Sequence, residues 1–239
     1  MAISQTPAST WIEFRAGVVA ILPAAIAVIP FGLLLGALAA RKGLTALEVA
    51  LMSTLVFAGS SQFVAVEIWQ HPAPWALLAL TAFTINLRHV MMGASVVRHM
   101  PQFGTAGRIA GLFFLADEVW AMAERRAAER GSVSPAFYTG LAATLYANWV
   151  VWTTAGTAVG ALIGDPASWG FDFAFTAFFI GLIAAFWKGA GTGAVIAVSA
   201  ITAVLVERLA GGVWHIVAGG IAGIATASLV ARAKLGGAG

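Results

Sequence analysis

Apolar residues run along this chain in long, unbroken stretches separated by short polar or proline-containing turns. A helix needs roughly 20 apolar residues to cross the hydrocarbon core of a bilayer. The pattern therefore predicts an all-α fold, a polytopic transmembrane helix bundle. The continuous runs are unlike the alternating strands of a membrane β-barrel. A first span is predicted from about Gly17 to Ala40, after an interfacial lead-in over residues 1–15. Pro23 and Pro30 interrupt it, and carbonyls freed by a proline must find partners inside the protein. Gly32 and Gly36 have the spacing that lets membrane helices approach closely. Further spans are predicted at about Thr45–Ile68, Trp75–Val97, Phe137–Ile163, Phe171–Trp187, Gly189–Val206 and Val213–Val230. His71, Pro72 and Pro74 turn the chain between the second and third, and Asp165–Pro166 turns it later. Residues 231–239 form a short basic tail, and residues 1–239 read as a single integral membrane domain.

The short apolar segment Ile109–Ala123, with Asp117 and Glu118 in its middle, decides the expected topology. If it crosses, there are eight spans. Seven Lys and Arg (Arg15, Arg125, Arg126, Arg130, Lys188, Arg232, Lys234) then face five on the other side. If it is re-entrant, there are seven spans. Ten then lie on one side, and only Arg15 and Arg208 on the other. Lys and Arg concentrate on the cytoplasmic side. That rule favours seven spans plus a re-entrant segment, with the N-terminus outside and the C-terminus cytoplasmic. At an offset of 124, Gly32, Gly36, Ala37, Leu38 and Ala50 match Gly156, Gly160, Ala161, Leu162 and Ala174, and Glu48 falls on Asp172. In the seven-span arrangement these segments would run oppositely, the inverted repeat common among transporters.

Composition agrees with this class: 60% of residues are hydrophobic, 10% are charged, and the mean hydropathy is +0.91. The net charge of +3 reflects loop lysines and arginines rather than a nucleic-acid surface. The chain has no cysteine, so thiolate metal sites and disulfides are excluded. Met1 to Thr10 is polar without a basic cluster and precedes a long apolar run, which does not read as a cleavable signal peptide.

Polar residues inside the apolar runs carry the candidate chemistry. The run Phe57-Ala58-Gly59-Ser60-Ser61-Gln62-Phe63 has two readings. Ser60, Ser61 and Gln62 are either interhelical hydrogen-bonding residues packed beside Gly59, or the start of a broken helix whose freed groups bind a polar ligand. Asn86 and His89 are three apart and share a helix face, whereas Arg88 points roughly the other way. A central arginine disfavours insertion by about 2.5–3.5 kcal/mol. An internal or substrate carboxylate therefore suits Arg88 better than a long snorkel. His89 is a candidate proton carrier or a hydrogen-bonded packing residue. Asp117 and Glu118 are candidates for proton coupling or for a substrate ammonium, against a bridge to Arg88 that fixes the fold. Asn148, Trp149 and Trp152 read mainly as packing and interface anchors, and Asp172 and Lys188 as interfacial. No zinc-ligand spacing, nucleophile elbow or phosphate loop is present, so neither a metal nor a cofactor is expected and the chain does not read as an enzyme.

The ordered set Pro30-Phe31-Gly32, Phe57 to Phe63, Asn86-Leu87-Arg88-His89, Asp117-Glu118, Asn148-Trp149 with Gly156 and Gly160, and Asp172 to Phe175 resembles the AzlC/YgaZ family. The resemblance covers nearly the whole chain. It implies the large subunit of a two-component secondary transporter that exports branched-chain amino acids (valine, leucine, isoleucine) across a bacterial inner membrane. It also implies a small AzlD/YgaH-type membrane subunit as partner, alongside membrane lipids and possible use of protons. The family's acidic pair is often preceded by threonine; here that residue is Ala116. Gly59, Ser60, Ser61 and Gln62, with Arg88, are then expected to hold the substrate carboxylate, Phe57, Phe63 and Phe31 to form the pocket for its apolar side chain, and Asn86 to be a further substrate-binding residue. Asp117, Glu118 and His89 are expected to meet the ammonium or exchange a proton. The alternatives are export of another small zwitterion, or a membrane scaffold that transports nothing.

Overall fold

The computed structural model describes residues 9–163, 180, 181, 183, 184, 187, 189–210 and 214–236. Every regular element among them is a helix. Following the chain, these are α1 (Thr10–Arg41), α2 (Ala46–Val56), α3 (Gly59–Glu67) and α4 (Trp75–Val96), the last ending in a 3₁₀ turn at Val97–His99. Then come α5 (Thr105–Phe113), α6 (Asp117–Arg130), α7 (Pro135–Ile163), α8 (Ala190–Ala210) and α9 (Trp214–Gly236). Four helices among the described residues are long and apolar enough to cross a membrane: Thr10–Arg41, Trp75–His99, Ala190–Ala210 and Trp214–Ala233. Most of the expected crossing over residues 171–187, the turn at Asp165–Pro166, Asp172, Lys188 and residues 1–8 lie outside the described residues.

The chain forms two compact units, Met1–Trp69 with Ile85–Trp169, and Gln70–Thr84 with Gly170–Gly239. The first is built on α1 and α7. Ser9 caps α1 by accepting from the Ile12 amide at 3.3 Å. Side by side, the two long helices touch through glycine. Gly17 faces the backbone of Phe137 and Leu141, and Gly140 faces Phe14 and Val18. Further along, Gly36 fits between Thr153 and Thr157, Gly156 lies on Leu33, and a Cβ built on Gly160 would sit 2.7 Å from the Cα of Ala37. Contacts advance together along both helices, so α1 and α7 run in the same direction.

That course corrects the expected inverted repeat for this pair. Gly32 and Gly36 match Gly156 and Gly160 because the four form one seam between parallel helices. The matched spacing marks a contact surface. It does not mark two segments of opposite direction. The seven-span arrangement made the Phe137–Ile163 segment antiparallel to α1, and the orientation argued from it loses that support.

The segment predicted as the second span contains a broken helix, one of its two readings: α2 stops at Val56 and α3 starts at Gly59. The Ile109–Ala123 segment is broken too: α5 ends at Phe113, and Asp117 and Glu118 open α6. Carboxylates are favoured there because the first amides of a helix carry partial positive charge. Thr45 and Glu48 start α2 with a reciprocal capping box (Thr45 N–H to Glu48 Oε2 2.7 Å, Glu48 N–H to Thr45 Oγ1 3.2 Å). Gly131, at φ 79°, ends α6 in the left-handed conformation that glycine tolerates best.

One end of this unit is fastened by ion pairs. The Arg126 guanidinium donates to both oxygens of Glu13 (2.6 and 2.8 Å) and stacks 4.4 Å from the centre of the Phe137 ring, while Ser134 donates to Glu13 at 2.9 Å. In the second unit α8 and α9 form an antiparallel hairpin. Ser199 Oγ donates to the Gly219 carbonyl at 2.7 Å, and Gly223 packs on Ser199 and Val195. Its outward side chains, such as Ile201, Leu205 and Ile221, are apolar and exposed, as a surface facing lipid tails requires.

Gly36→Val places a branched side chain against the α7 backbone. It should destabilise the purified protein by the ~1–3 kcal/mol of an overpacked core or more. The midpoint of thermal unfolding in detergent measures this, with Val19→Leu on the exposed side of α1 leaving it unchanged.

Candidate functional site

Both short pairs, α2–α3 and α5–α6, are helices broken within apolar sequence. The α2–α3 break turns at Phe57, whose φ of 25° is the one positive value at a non-glycine residue among those described. Ala58 is the N-cap of α3 and Ala116 the N-cap of α6, and neither start has a capping side chain. A helix start leaves its first amides without partners in the helix. The α3 start is therefore open to an external acceptor, while at the α6 start the Glu118 carboxylate already turns to its own amide.

The two starts meet at one guanidinium. Arg88 in α4 donates through Nη2 to Ser60 Oγ at 2.8 Å and pairs through Nη1 with Asp117 Oδ2 at 2.7 Å. Asn86 reaches the same turn of α3, its Nδ2 lying 3.2 Å from Ser61 Oγ. Arg88 and Asn86 were expected to point apart. They converge because Ser60 and Ser61 are successive residues around α3, so one helix start receives both side chains. His89 Nδ1 lies 3.3 Å from the Asn86 carbonyl, and its ring also meets the backbone of Leu115 in the α5–α6 break. Glu118 lies beside this group without an ion-pair partner among the described residues, its carboxylate turned back on its own amide. Within this group, two buried atoms have no hydrogen-bond partner among the described residues: Arg88 Nε, a donor, and Asn86 Oδ1, an acceptor.

Gln62 takes no part in that cluster. It is buried at the back of α3, where its Nε2 donates to Ser53 Oγ at 3.0 Å and its Oε1 accepts from Trp149 Nε1 at 2.8 Å. Gly59 lies close against the Trp149 ring, which a Cβ at that position would meet at 3.2 Å. Phe63 is fully buried and Phe57 nearly so, the latter edge-on to Tyr146 with centroids 5.1 Å apart. Neither ring is open to a ligand in this conformation.

Asn148, Trp149 and Trp152, read as packing residues, also make hydrogen bonds. Asn148 donates to the Ala25 carbonyl at 2.9 Å, near the α1 turn that Pro30 disturbs, and accepts from Trp152 at 3.1 Å. Ser53, Thr153 and Tyr146 were missed altogether. Tyr146 donates to the Thr54 carbonyl at 3.0 Å, just before the first break. A single hydroxyl within an apolar helix bonds its own backbone so readily that its sequence position carries little signal.

Residues 23–163 match the family model described as AzlC protein. The chain belongs to the AzlC family. The matched region holds every residue of the Arg88 cluster. The chain is 30% identical over 161 residues to Inner membrane protein YgaZ of Escherichia coli (strain K12), covering 66% of this chain and 64% of that protein. It is also 30% identical over 159 residues to an uncharacterized membrane protein of Archaeoglobus fulgidus, covering 64% and 63%. The chain thus spans a little under two thirds of these relatives' own lengths. No solved structure matches it. With its apolar helices, this AzlC member is a membrane protein.

Two outcomes follow from the geometry. Ala116 is the N-cap of α6 and has no side chain that could cap it. Ala116→Thr should therefore stabilise the protein by about 1 kcal/mol, read as a raised thermal midpoint. Arg88→Gln should lower that midpoint by stranding the Asp117 carboxylate. Arg88→Gln/Asp117→Asn should restore part of the loss, giving a coupling of about 0.5–3 kcal/mol in a double-mutant cycle.

Proposed function

We propose that this chain exports branched-chain amino acids as the large subunit of a two-component secondary transporter, and that the zwitterion binds where α3 and α6 begin. One observation carries the reading. A buried donor, Arg88 Nε, and a buried acceptor, Asn86 Oδ1, both lack partners beside two uncapped helix starts. An α-amino acid brings the complementary pair. Its carboxylate suits Arg88 and the amides of Gly59, Ser60 and Ser61; its ammonium suits Asn86 and the acids. Discontinuous helices that turn their N-termini towards an anionic substrate group are a recurrent transporter device.

Within this reading Asp117 holds Arg88 in the empty carrier. An arriving carboxylate competes for the guanidinium and releases Asp117 to take the ammonium or a proton. Glu118, without an ion-pair partner among the described residues, and His89, against the second break, are the remaining groups for proton exchange. Phe57 and Phe63 supply the apolar wall when α3 moves. A small AzlD/YgaH-type subunit is the proposed partner, and the bacterial cytoplasmic membrane the proposed location. The family membership and the amino-acid-shaped set of unpartnered groups support this over a scaffold, which needs neither.

The test is efflux of labelled valine, loaded as a dipeptide, from cells lacking endogenous exporters, with this chain alone and with its small-subunit partner. Efflux should require both chains. Arg88→Ala should lower it at least tenfold, about 1.4 kcal/mol, with the protein still present in the membrane. Absence of valine, leucine and isoleucine efflux with both chains in the membrane would reject the substrate assignment.

A further inference from the structure

The buried contacts behind α3 form a closed circuit. Trp149 Nε1–H donates to Gln62 Oε1 (2.8 Å), and Gln62 Nε2–H donates to Ser53 Oγ (3.0 Å). Ser53 Oγ lies 2.9 Å from Thr153 Oγ1, and Thr153 Oγ1–H donates to the Trp149 carbonyl (2.9 Å). Thr153 Oγ1 also lies 3.2 Å from the Val150 carbonyl, and either hydroxyl can donate in the Ser53–Thr153 contact. The contacts run from the indole of Trp149 through Gln62, Ser53 and Thr153 back to the Trp149 carbonyl. Ser53, Gln62, Thr153 and Trp149 are 0%, 1%, 0% and 7% exposed, so water does not replace these bonds.

The circuit brackets the first break. Ser53 belongs to α2, Gln62 to the first turn of α3, and Trp149 and Thr153 to α7, while the Trp149 ring lies on Gly59 between them. The opposite side of the same α3 turn presents Ser60 and Ser61 to Arg88 and Asn86. Local helix geometry does not set where α3 starts, since Ala58 offers no cap and Phe57 sits at a positive φ. The circuit supplies that constraint from α7.

We infer that Trp149 is a positioning residue: its indole N–H, through Gln62, fixes the start of α3 so that Ser60 and Ser61 stand at the Arg88 guanidinium. The effect on substrate rests on the reading under Proposed function; the effect on α3 does not.

Trp149→Phe keeps a ring against Gly59 and removes only the donor. Two readouts separate the claims. The chain contains no cysteine, so Ser60→Cys gives a single thiol at the start of α3. Its rate of alkylation by a maleimide should rise at least threefold when Trp149→Phe is added, and again with Thr153→Val, which opens the circuit elsewhere. A control thiol at Leu47, on the outer face of α2, should not change. In proteoliposomes containing both subunits, Trp149→Phe without the cysteine should raise KM for valine three- to tenfold and change Vmax less than twofold. Unchanged labelling at residue 60 overturns the inference, whatever transport does. Increased labelling with KM unchanged, or a loss of Vmax alone, reduces Trp149 to a structural residue and also overturns it. If the unmutated protein moves no branched-chain amino acid, the functional reading fails, and labelling still decides whether Trp149 positions α3.

Discussion

A helix that stops and restarts within an apolar medium exposes backbone amides that nothing nearby can hydrate. That constraint governs the first unit. Two such restarts, at Gly59 and Asp117, lie on separate stretches of chain, and neither has a capping side chain. The fold deals with both at one point. A single α4 arginine reaches the hydroxyl of one start and the carboxylate of the other, and its neighbour His89 turns to the second break. Without α4, each break would be a separate defect; with it, they form one polar centre inside an apolar bundle.

The arrangement also explains why a charged arginine is tolerable there. Its charge is matched by Asp117, and the carboxylate in turn lies in the favourable field at the start of α6. The match is incomplete in a specific way. The guanidinium has five N–H donors, and one nitrogen, Nε, is buried without an acceptor. Polar groups left so are costly unless something completes them.

Much of this was legible in the sequence. The helical class, the first, third and last spans, and the polar residues worth attention all follow from apolar run length and from charges that lipid does not accept. The breaks were less so. Phe57-Ala58-Gly59 contains no proline, and its interruption depends on packing against Trp149 and Tyr146, which lie about 90 residues away in the sequence. The direction of α7 was misjudged because glycine spacing is the same for a repeat and for a contact seam. Gln62 was placed with the ligand-facing residues because it adjoins Ser60 and Ser61, although helix geometry turns it to the opposite side.

The seam between α1 and α7 has a mechanical consequence. Where side chains separate two helices, they can slide past each other as those side chains change rotamer. Here backbone meets backbone at both ends of the contact, at Gly17 and Gly140 and again at Gly36, Gly156 and Gly160, with no intervening layer to repack at those points. Asn148 adds a cross-tie at Ala25, so the proline-bearing part of α1 bends only if α7 bends with it. The two longest helices of the unit therefore act as one stiff post. The short helices α3 and α6, each cut free of the helix before it, are the parts of the unit that this post does not hold rigid.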